Sequence, residues 1–187
     1  ETSDSLKARG EKGIPVERVM RDSRINTIIE GTSQIMRLFI AREALDPHAR
    51  RIFPLLDPEI NIFKKLKMVL DLFLFYSVWY LRQWFYLPTL KDPHLIPAKL
   101  RSHVNYVNRM CHRLARDLFH AMMLYQQGLE KKQRLLARLV NIGTDLFAMA
   151  ATCSRASLMV SKNPSDQSSI ELADLFCLDA RSRVSRH

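Results

Sequence analysis

Glycine is scarce in this sequence, with five residues in 187. Tight β-turns depend on glycine because it adopts backbone conformations that other residues disfavour, so its scarcity argues against a turn-rich β protein. Hydrophobic residues make up 47% of the chain, which is enough for a sizeable core. These two properties together predict an all-α protein.

Cysteine is also rare, and Cys111, Cys153 and Cys177 form no closely spaced pair. An odd number of cysteines without a C-x-x-C motif indicates neither a disulfide framework nor a zinc site, so we expect reduced, buried thiols. The sequence contains no signal-peptide pattern. Because it starts at Glu1 and its first methionine is Met20, we expect it to be a fragment or a processed piece.

Acidic residues are too few to balance the basic ones, and the formal net charge is +10. Such a charge attracts phosphates, anionic lipid surfaces or acidic proteins. The basic residues are scattered over several predicted helices, and no nucleic-acid reading motif is present. We therefore expect no nucleic-acid partner.

Long hydrophobic runs are missing as well, since the uninterrupted apolar run at residues 72–81 is too short to span a bilayer. The wider segment 61–86 is nevertheless apolar and rich in rings that favour a lipid headgroup boundary. These rings, preceded by Lys64, Lys65 and Lys67, are Tyr76, Trp79, Tyr80, Trp84 and Tyr86. A helix at a membrane surface and a core helix between protein parts both explain the pattern, and an exposed apolar face would distinguish them.

Helical spacing and prolines divide the chain into three parts. Residues 1–46 end with a helix that starts at Thr32 or Ser33 and that Asp46-Pro47 is expected to end. Residues 47–97 form a proline-rich connector with the apolar aromatic helix. Residues 98–187 carry three apolar stripes at steps of three and four, which predict an appended C-terminal helical bundle.

Other polar and sulfur-containing side chains favour structural roles. His112, Arg116 and His120 are four apart, a spacing that metal sites use, but the arginine between them favours a solvated basic face, and we predict no metal site. Arg21, Asp22 and Arg24 could bind phosphate, although ion pairs beside a turn are the preferred interpretation. The methionines expected to fill gaps in the bundle are Met110, Met122, Met123, Met149 and Met159.

The segment 15–37 carries the strongest functional signal. It contains Arg21-Asp22, then Glu30-Gly31-Thr32, then Ile35-Met36-Arg37. This gapless pattern resembles the C-terminal signature of acyl-CoA dehydrogenases. Residues 2–10 are similar to the helix before it, and the tail from about residue 98 resembles the extra domain of the very-long-chain enzymes and their bacterial relatives.

The resemblance implies a flavoprotein that oxidises fatty acyl-CoA to trans-2-enoyl-CoA in fatty-acid β-oxidation. By matching position, Glu30 is the base that abstracts the α-proton, and Gly31 and Ile29 contact the substrate. The neighbouring isoleucine, Ile28, would add to an apolar setting that strengthens a carboxylate base. Thr32, Ser33 and Gln34 match positions that contact FAD.

The resemblance also implies partners and location. We expect a homodimer that passes electrons to an electron-transfer flavoprotein and touches a membrane through residues 61–86. The expected location is cytoplasmic and membrane-associated in a bacterium, or the matrix face of the inner mitochondrial membrane. The fragment alone is expected to hold no FAD and to be inactive. A non-catalytic scaffold or assembly module related to these enzymes is the alternative.

Overall fold

The computed structural model describes residues 3–10, 13–29, 32–85 and 95–186. Within these ranges the chain is helical and has no β-strand, which confirms the all-α prediction. Three short 3-10 segments interrupt or follow the helices, at Arg24–Thr27, Phe53–Leu56 and Gln126–Lys131. The α-helices are α1 Ser3–Ala8, α2 Val16–Ser23, α3 Ser33–Ile52, α4 Ile62–Trp84, α5 Ala98–Tyr125, α6 Gln133–Lys162 and α7 Ser168–Arg186.

The helices α5, α6 and α7 pack as a three-helix bundle around one hydrophobic core. Each helix contributes a stripe of side chains at three- and four-residue steps, as the sequence predicts. Leu100, Met149 and Cys177 are fully buried at the centre. Its other buried members are Val107, Leu146, Cys153, Ala156, Ile170, Ala173, Ala180 and Val184.

A second, smaller core joins α3 to the end of α5 and the first half of α6. Ala41 is the fully buried contribution of α3, and the half-buried Leu45 packs beside it. Their partners are Ala121, Leu129, Leu136 and Val140. The helix that follows the Glu30 motif therefore rests directly on the longest helix of the bundle.

The helix α3 does not end at Asp46-Pro47 as the sequence analysis expects, but continues to Ile52. A proline inside a helix removes one backbone hydrogen bond, and that cost led to the wrong prediction. The contacts on either side of Pro47 offset the loss. Leu45 packs on the second core, and His48 lies against Tyr76 of α4.

The helix α4 confirms the predicted helix in the apolar aromatic segment. Its N-cap is Asn61, whose side-chain oxygen accepts a hydrogen bond from the amide of Phe63 at 3.1 Å. Two positions on α4 contact different parts of the chain: Phe75, near the middle of the helix, lies under the Arg51 guanidinium of α3, and Gln83, near its C-terminal end, hydrogen-bonds to α5. The outward side of the helix is apolar and exposed over most of its length.

One helix in the described part of the chain, α6, is long and apolar enough to cross a membrane by length and composition. Two of its six buried side chains lie in the smaller core, and the other four lie in the bundle core. These contacts are those of a central helix that packs against protein on several sides.

The three cysteines are free, but only two of them are buried as expected. Cys153 and Cys177 face each other between α6 and α7 with their sulfur atoms 3.6 Å apart. Burial, together with the neighbouring sulfur, raises the pKa of the Cys153 thiol to about 12. Cys111 is exposed instead, because it lies on the side of α5 away from the bundle core.

The gap-filling role predicted for the methionines holds for some of them. Met149 is fully buried, and the half-buried Met110 and Met122 pack against the two cores. Met123 and Met159 are exposed, so their predicted packing role is wrong. Met123 directly follows the packed Met122, and a helix turns by about 100° between successive residues, so Met123 faces away from that core.

Candidate functional site

The Glu30 motif lies in the sequence between α2 and α3. After the 3-10 turn Arg24–Thr27, the amides of Ile28 and Ile29 both donate to the carbonyl of Ile25, at 3.0 and 2.9 Å. Glu30 and Gly31 follow and lie outside the described residues. The described chain resumes at Thr32, so the Glu30 motif lies in sequence between this turn and a 20-residue helix.

The residues assigned to FAD occupy the start of α3. Thr32 is the N-cap, and its carbonyl accepts a hydrogen bond from the amide of Met36 at 3.0 Å. Its side chain makes no capping hydrogen bond. The first amides of a helix have no partner within it, so this exposed turn offers donors to a polar or anionic ligand. Thr32, Ser33 and Gln34 are consecutive and all exposed, which fits contact with a dinucleotide.

The apolar side chains beside the Glu30 motif are exposed to solvent. Ile28 is 68% exposed and Ile29 is 54% exposed, and on α3 Ile35 and Phe39 are similarly open. An environment that raises the pKa of a carboxylate must exclude water. The described residues around this turn do not enclose it, so such an environment needs further protein surface.

The charged residues beside the turn form local ion pairs on α2. Arg18 lies 3.6 Å from Asp22, and Arg21 lies 3.6 Å from Glu17, each pair one helical turn apart and exposed. This confirms the interpretation of Arg21 and Asp22 as structural ion pairs. Exposed pairs of this kind contribute little to stability.

A second polar cluster, which the sequence analysis missed, joins α4 to α3 and α5. His48 Nδ1 and the Tyr76 hydroxyl are 2.9 Å apart, and the two rings stack. The indole of Trp79 meets the His48 ring edge-on at a centroid distance of 5.3 Å. Phe119 of α5 lies against both Tyr76 and Trp79.

The same cluster corrects the predicted role of the aromatic residues of α4. From the sequence, Tyr76, Trp79 and Tyr80 are assigned to a possible lipid headgroup boundary. In the structure these three rings are partly buried and face the protein instead. Trp84 is 57% exposed, with the Arg116 guanidinium 4.2 Å above its ring. Tyr86 lies outside the described residues.

Of the three residues predicted to form a solvated basic face on α5, His120 is exposed, whereas His112 and Arg116 are half-buried against α4. His112 Nδ1 is 2.7 Å from the side-chain oxygen of Gln83, and the Arg116 guanidinium donates to the backbone carbonyl of Gln83 at 2.6 Å. His120 Nε2 lies 2.9 Å from the hydroxyl of Tyr80. All three side chains of α5 therefore bind α4 through polar contacts. Among the described residues, no three His, Cys, Asp or Glu side chains group as metal ligands would.

The sequence contained a signal for this interface. The inward residues of α4 include Leu72, Tyr76, Trp79 and Gln83, which recur at steps of four, three and four. Tyr76 and Gln83 in this set carry polar atoms, and the basic residues His112, Arg116 and His120 recur at steps of four on α5. A stripe of polar residues on one face of a helix is compatible with an interface as well as with a solvated face.

A third cluster joins α5 to α7 beside the bundle core. The buried His103 has its Nε2 atom 2.8 Å from a carboxylate oxygen of Asp174, and the other oxygen lies 3.2 Å from Lys99 Nζ. The hydrogen bond to His103 and the charge of Lys99 hold the pKa of Asp174 below its usual value of 3.8. Lys99 also binds Glu171, and its own pKa is raised by these two carboxylates.

The chain belongs to the acyl-CoA dehydrogenase family. Residues 4–45 match the family described as "Acyl-CoA dehydrogenase, C-terminal domain", and residues 98–187 match "ACAD9/ACADV, C-terminal domain". The first match contains the turn and the start of α3, and the second contains the whole three-helix bundle. The recognition from the Glu-Gly-Thr segment and the C-terminal tail is thereby confirmed.

Curated relatives extend over nearly the whole chain. It is 40% identical over 185 residues to the probable acyl-CoA dehydrogenase FadE10 of Mycobacterium tuberculosis, covering 98% of this chain and 28% of that protein. It is 30% identical over 171 residues to the very long-chain specific acyl-CoA dehydrogenase, mitochondrial, of Homo sapiens, covering 90% of this chain and 26% of that protein. The Rattus norvegicus protein of the same name is 29% identical, with coverage of 90% and 26%.

The chain thus spans little more than a quarter of the length of these relatives. No solved structure matches it.

Proposed function

We propose that this chain is the C-terminal part of a flavoprotein that oxidises long-chain fatty acyl-CoA to trans-2-enoyl-CoA, with Glu30 as the base. The observation that carries the proposal is the Glu30-Gly31-Thr32 motif at the start of α3, inside the segment that matches the acyl-CoA dehydrogenase C-terminal domain. The names of the similar proteins support the same substrate class.

The chemistry requires a carboxylate at this position. The α-proton of a thioester is weakly acidic, so a base must be held beside the α-carbon while hydrogen bonds polarise the carbonyl. Glu30 would accept that proton, and the absence of a side chain at Gly31 would let the thioester approach the backbone closely. FAD, when bound in the whole protein, supplies the acceptor for the hydride that leaves the β-carbon.

The start of α3 fits a role in holding FAD. Free amide donors of the first turn and the hydroxyls of Thr32 and Ser33 are exposed side by side, and Gln34 adds an amide. The open apolar residues Ile28 and Ile29 would be covered by the rest of the flavin-binding body. We propose that the whole protein is a homodimer that uses an electron-transfer flavoprotein as acceptor.

The test is Glu30→Gln in the whole protein, followed by stopped-flow bleaching of the flavin with a saturated acyl-CoA. This substitution keeps the size of the side chain and removes the base, so flavin reduction should slow by about two to four orders of magnitude while FAD content is retained. Glu43→Gln, at an exposed glutamate of α3, is the matched control and should reduce at the unmodified rate. Unchanged reduction in Glu30→Gln would place the base on another helix.

A second proposal concerns membrane attachment through the outward face of α4. Along this face Phe63 is 78% exposed, Phe73 is 67% exposed and Val78 is 69% exposed. Its other exposed apolar residues are Ile62, Leu66, Val69, Leu70, Leu74 and Leu81. A continuous apolar face of this length, which Lys64 and Lys67 flank near its N-terminal end, favours insertion among lipid headgroups. The proposed location is a membrane surface, in a bacterial cytoplasm or the mitochondrial matrix.

The alternative, a non-catalytic scaffold or assembly module, makes a different prediction for the whole protein. Such a protein would keep its partner binding without turnover of any acyl-CoA. Detection of flavin bleaching by a saturated acyl-CoA in the unmodified whole protein would exclude this alternative.

A further inference from the structure

Three histidines connect α4 to the rest of the molecule. His48 of α3 reaches Tyr76, His112 of α5 reaches Gln83, and His120 of α5 reaches Tyr80, each at a distance of 2.7–2.9 Å. These contacts follow one another along the inward face of α4, one helical turn apart. Histidine is the side chain whose charge changes near neutral pH, so an interface that uses three of them is a candidate for control by protons.

The surroundings of the three rings differ. A ring nitrogen of His112 faces the side-chain oxygen of Gln83, and a ring nitrogen of His120 faces the hydroxyl of Tyr80. The His120 side chain is exposed to water.

His48 is in a different environment. Its ring stacks on Tyr76 and meets Trp79 edge-on, and Phe119 of α5 lies against both of those rings. The charged group that acts on it is the Arg51 guanidinium, one turn further along α3, which itself lies over Phe75 of α4. Tyr76 is the titratable group that faces it from α4, and Phe119 brings no charge from α5.

We propose that His48 is a proton sensor for the docking of α4: protonating it loosens the contact of α4 with α3 and exposes the aromatic side chains beside that contact. The geometry gives the reason, since a second cation would be placed in a half-buried position beside the Arg51 guanidinium. The proposal concerns docking alone and does not depend on what the outward face of α4 contacts.

The direction of the pH dependence follows from the same surroundings. Burial first, and then the charge of Arg51, lower the pKa of His48 below 6.5 when α4 is docked. An undocked His48 binds a proton at a higher pH than a docked one, so docking is fully favoured above pH 6.5 and weakens as the pH falls below it. Each pKa unit between the two forms corresponds to about a tenfold change in the docking equilibrium.

Hydrogen–deuterium exchange of the 187-residue chain at pH 7.5 and pH 5.5 tests the proposal, with rates corrected for the intrinsic effect of pH. The amides of α4 should lose protection at pH 5.5, while those of α6 keep theirs. Both tryptophans of the chain, Trp79 and Trp84, lie on α4, so the wavelength of tryptophan emission reports the same event. It should shift to the red with a midpoint below pH 6.5.

His48→Gln is the deciding variant because the glutamine side chain can still accept a hydrogen bond from the Tyr76 hydroxyl but does not bind a proton in this pH range. The protection of its α4 amides should be equal at the two pH values, whereas the matched control His112→Gln should keep the pH response. An unchanged response in His48→Gln, or equal loosening of α4 and α6 in the unmodified chain, overturns the proposal.

A measurement on the unmodified chain covers the case in which His48→Gln does not fold. The imidazole of His48 can be titrated by NMR in the native protein. A midpoint below 6.5 supports the proposal, and a midpoint at or above 6.5 overturns it.

Discussion

At the scale of single residues, Asp174 links two helices of the bundle through one carboxylate. It binds the buried His103 with one oxygen and Lys99 with the other, so α5 and α7 are joined beside their shared core. Its pKa lies below 3.8, chiefly because of the hydrogen bond to His103. A carboxyl whose pKa is lower in the folded than in the unfolded chain stabilises the fold above the unfolded value.

We therefore predict that this contribution is complete at neutral pH and is lost as the pH falls below about 4. Asp174→Asn should lower stability at pH 7 and show a shallower decline between pH 5 and pH 3 than the unmodified chain. Urea unfolding at a series of pH values measures both effects. The control is Asp71→Asn, at an exposed carboxylate of α4, and its stability should depend on pH as that of the unmodified chain does. If Asp174→Asn also shows the same pH dependence as the unmodified chain, the role assigned to Asp174 is contradicted.

Individual side chains also mark where sequence-based prediction fails. The burial of Cys153 and Cys177 follows from their positions in helical stripes, but the exposure of Cys111 does not, since Cys111 also fits a stripe on α5. The contacts of His112 are harder still to predict from the sequence, because its partner Gln83 lies 29 positions earlier in the chain. A residue type and its spacing do not identify a partner at that distance.

At the scale of elements, spacing predicted the helices better than it predicted their faces. The limits of α4 and α5 follow from Asn61, from the prolines and from the apolar stripes. The packed side of α4 does not, because apolar residues occur on all sides of this helix and only the structure distinguishes its inward rings from its outward ones. The predicted end of α3 fails because long-range contacts of Leu45 and His48 outweigh the effect of one proline.

The orientation of α4 changes which residues a lipid-binding experiment should alter. Phe63→Ser with Phe73→Ser removes two exposed rings, and binding of the chain to anionic vesicles should fall by about tenfold or more for each ring. Flotation with phosphatidylglycerol vesicles measures this. Phe147→Ser, at a ring of α6 that is 75% exposed, is the matched control and should float as the unmodified chain does.

Equal flotation of the double variant and the control would mean that protein, rather than lipid, covers the outward face of α4. Retained far-ultraviolet circular dichroism in both variants is needed for the comparison, since an unfolded chain exposes every apolar side chain.

At the scale of the whole molecule, burial is uneven along the chain. The larger core lies entirely in α5, α6 and α7, whereas α2, α3 and α4 carry most of the exposed large hydrophobic side chains. The matched family segments follow a similar division, with 4–45 on one side and 98–187 on the other. The bundle is therefore expected to control the stability of this chain.

A matched pair of leucine substitutions tests that expectation. Leu146 is 1% exposed in the bundle core, and Leu146→Ala should destabilise the chain by about 2–5 kcal/mol. Leu175 is 67% exposed on α7, and Leu175→Ala should change stability by less than about 0.5 kcal/mol. Urea unfolding followed by helical circular dichroism gives both values, and similar losses in the two variants would contradict the assigned core.

The helix α6 packs into two cores in succession, with Leu136 and Val140 facing α3 and with Leu146 and Met149 facing α5 and α7. Each added residue turns a helix by about 100° and lengthens it by about 1.5 Å. One residue inserted between Val140 and Leu146 would therefore swing the first pair of side chains away from its partners while the second pair stayed in place. An insertion of seven residues nearly restores the phase, but it separates the two cores by about 10 Å. The number of residues between these positions in α6 therefore sets the relative orientation of its two packed faces. We expect the chain to tolerate substitutions in this part of α6 far better than insertions or deletions.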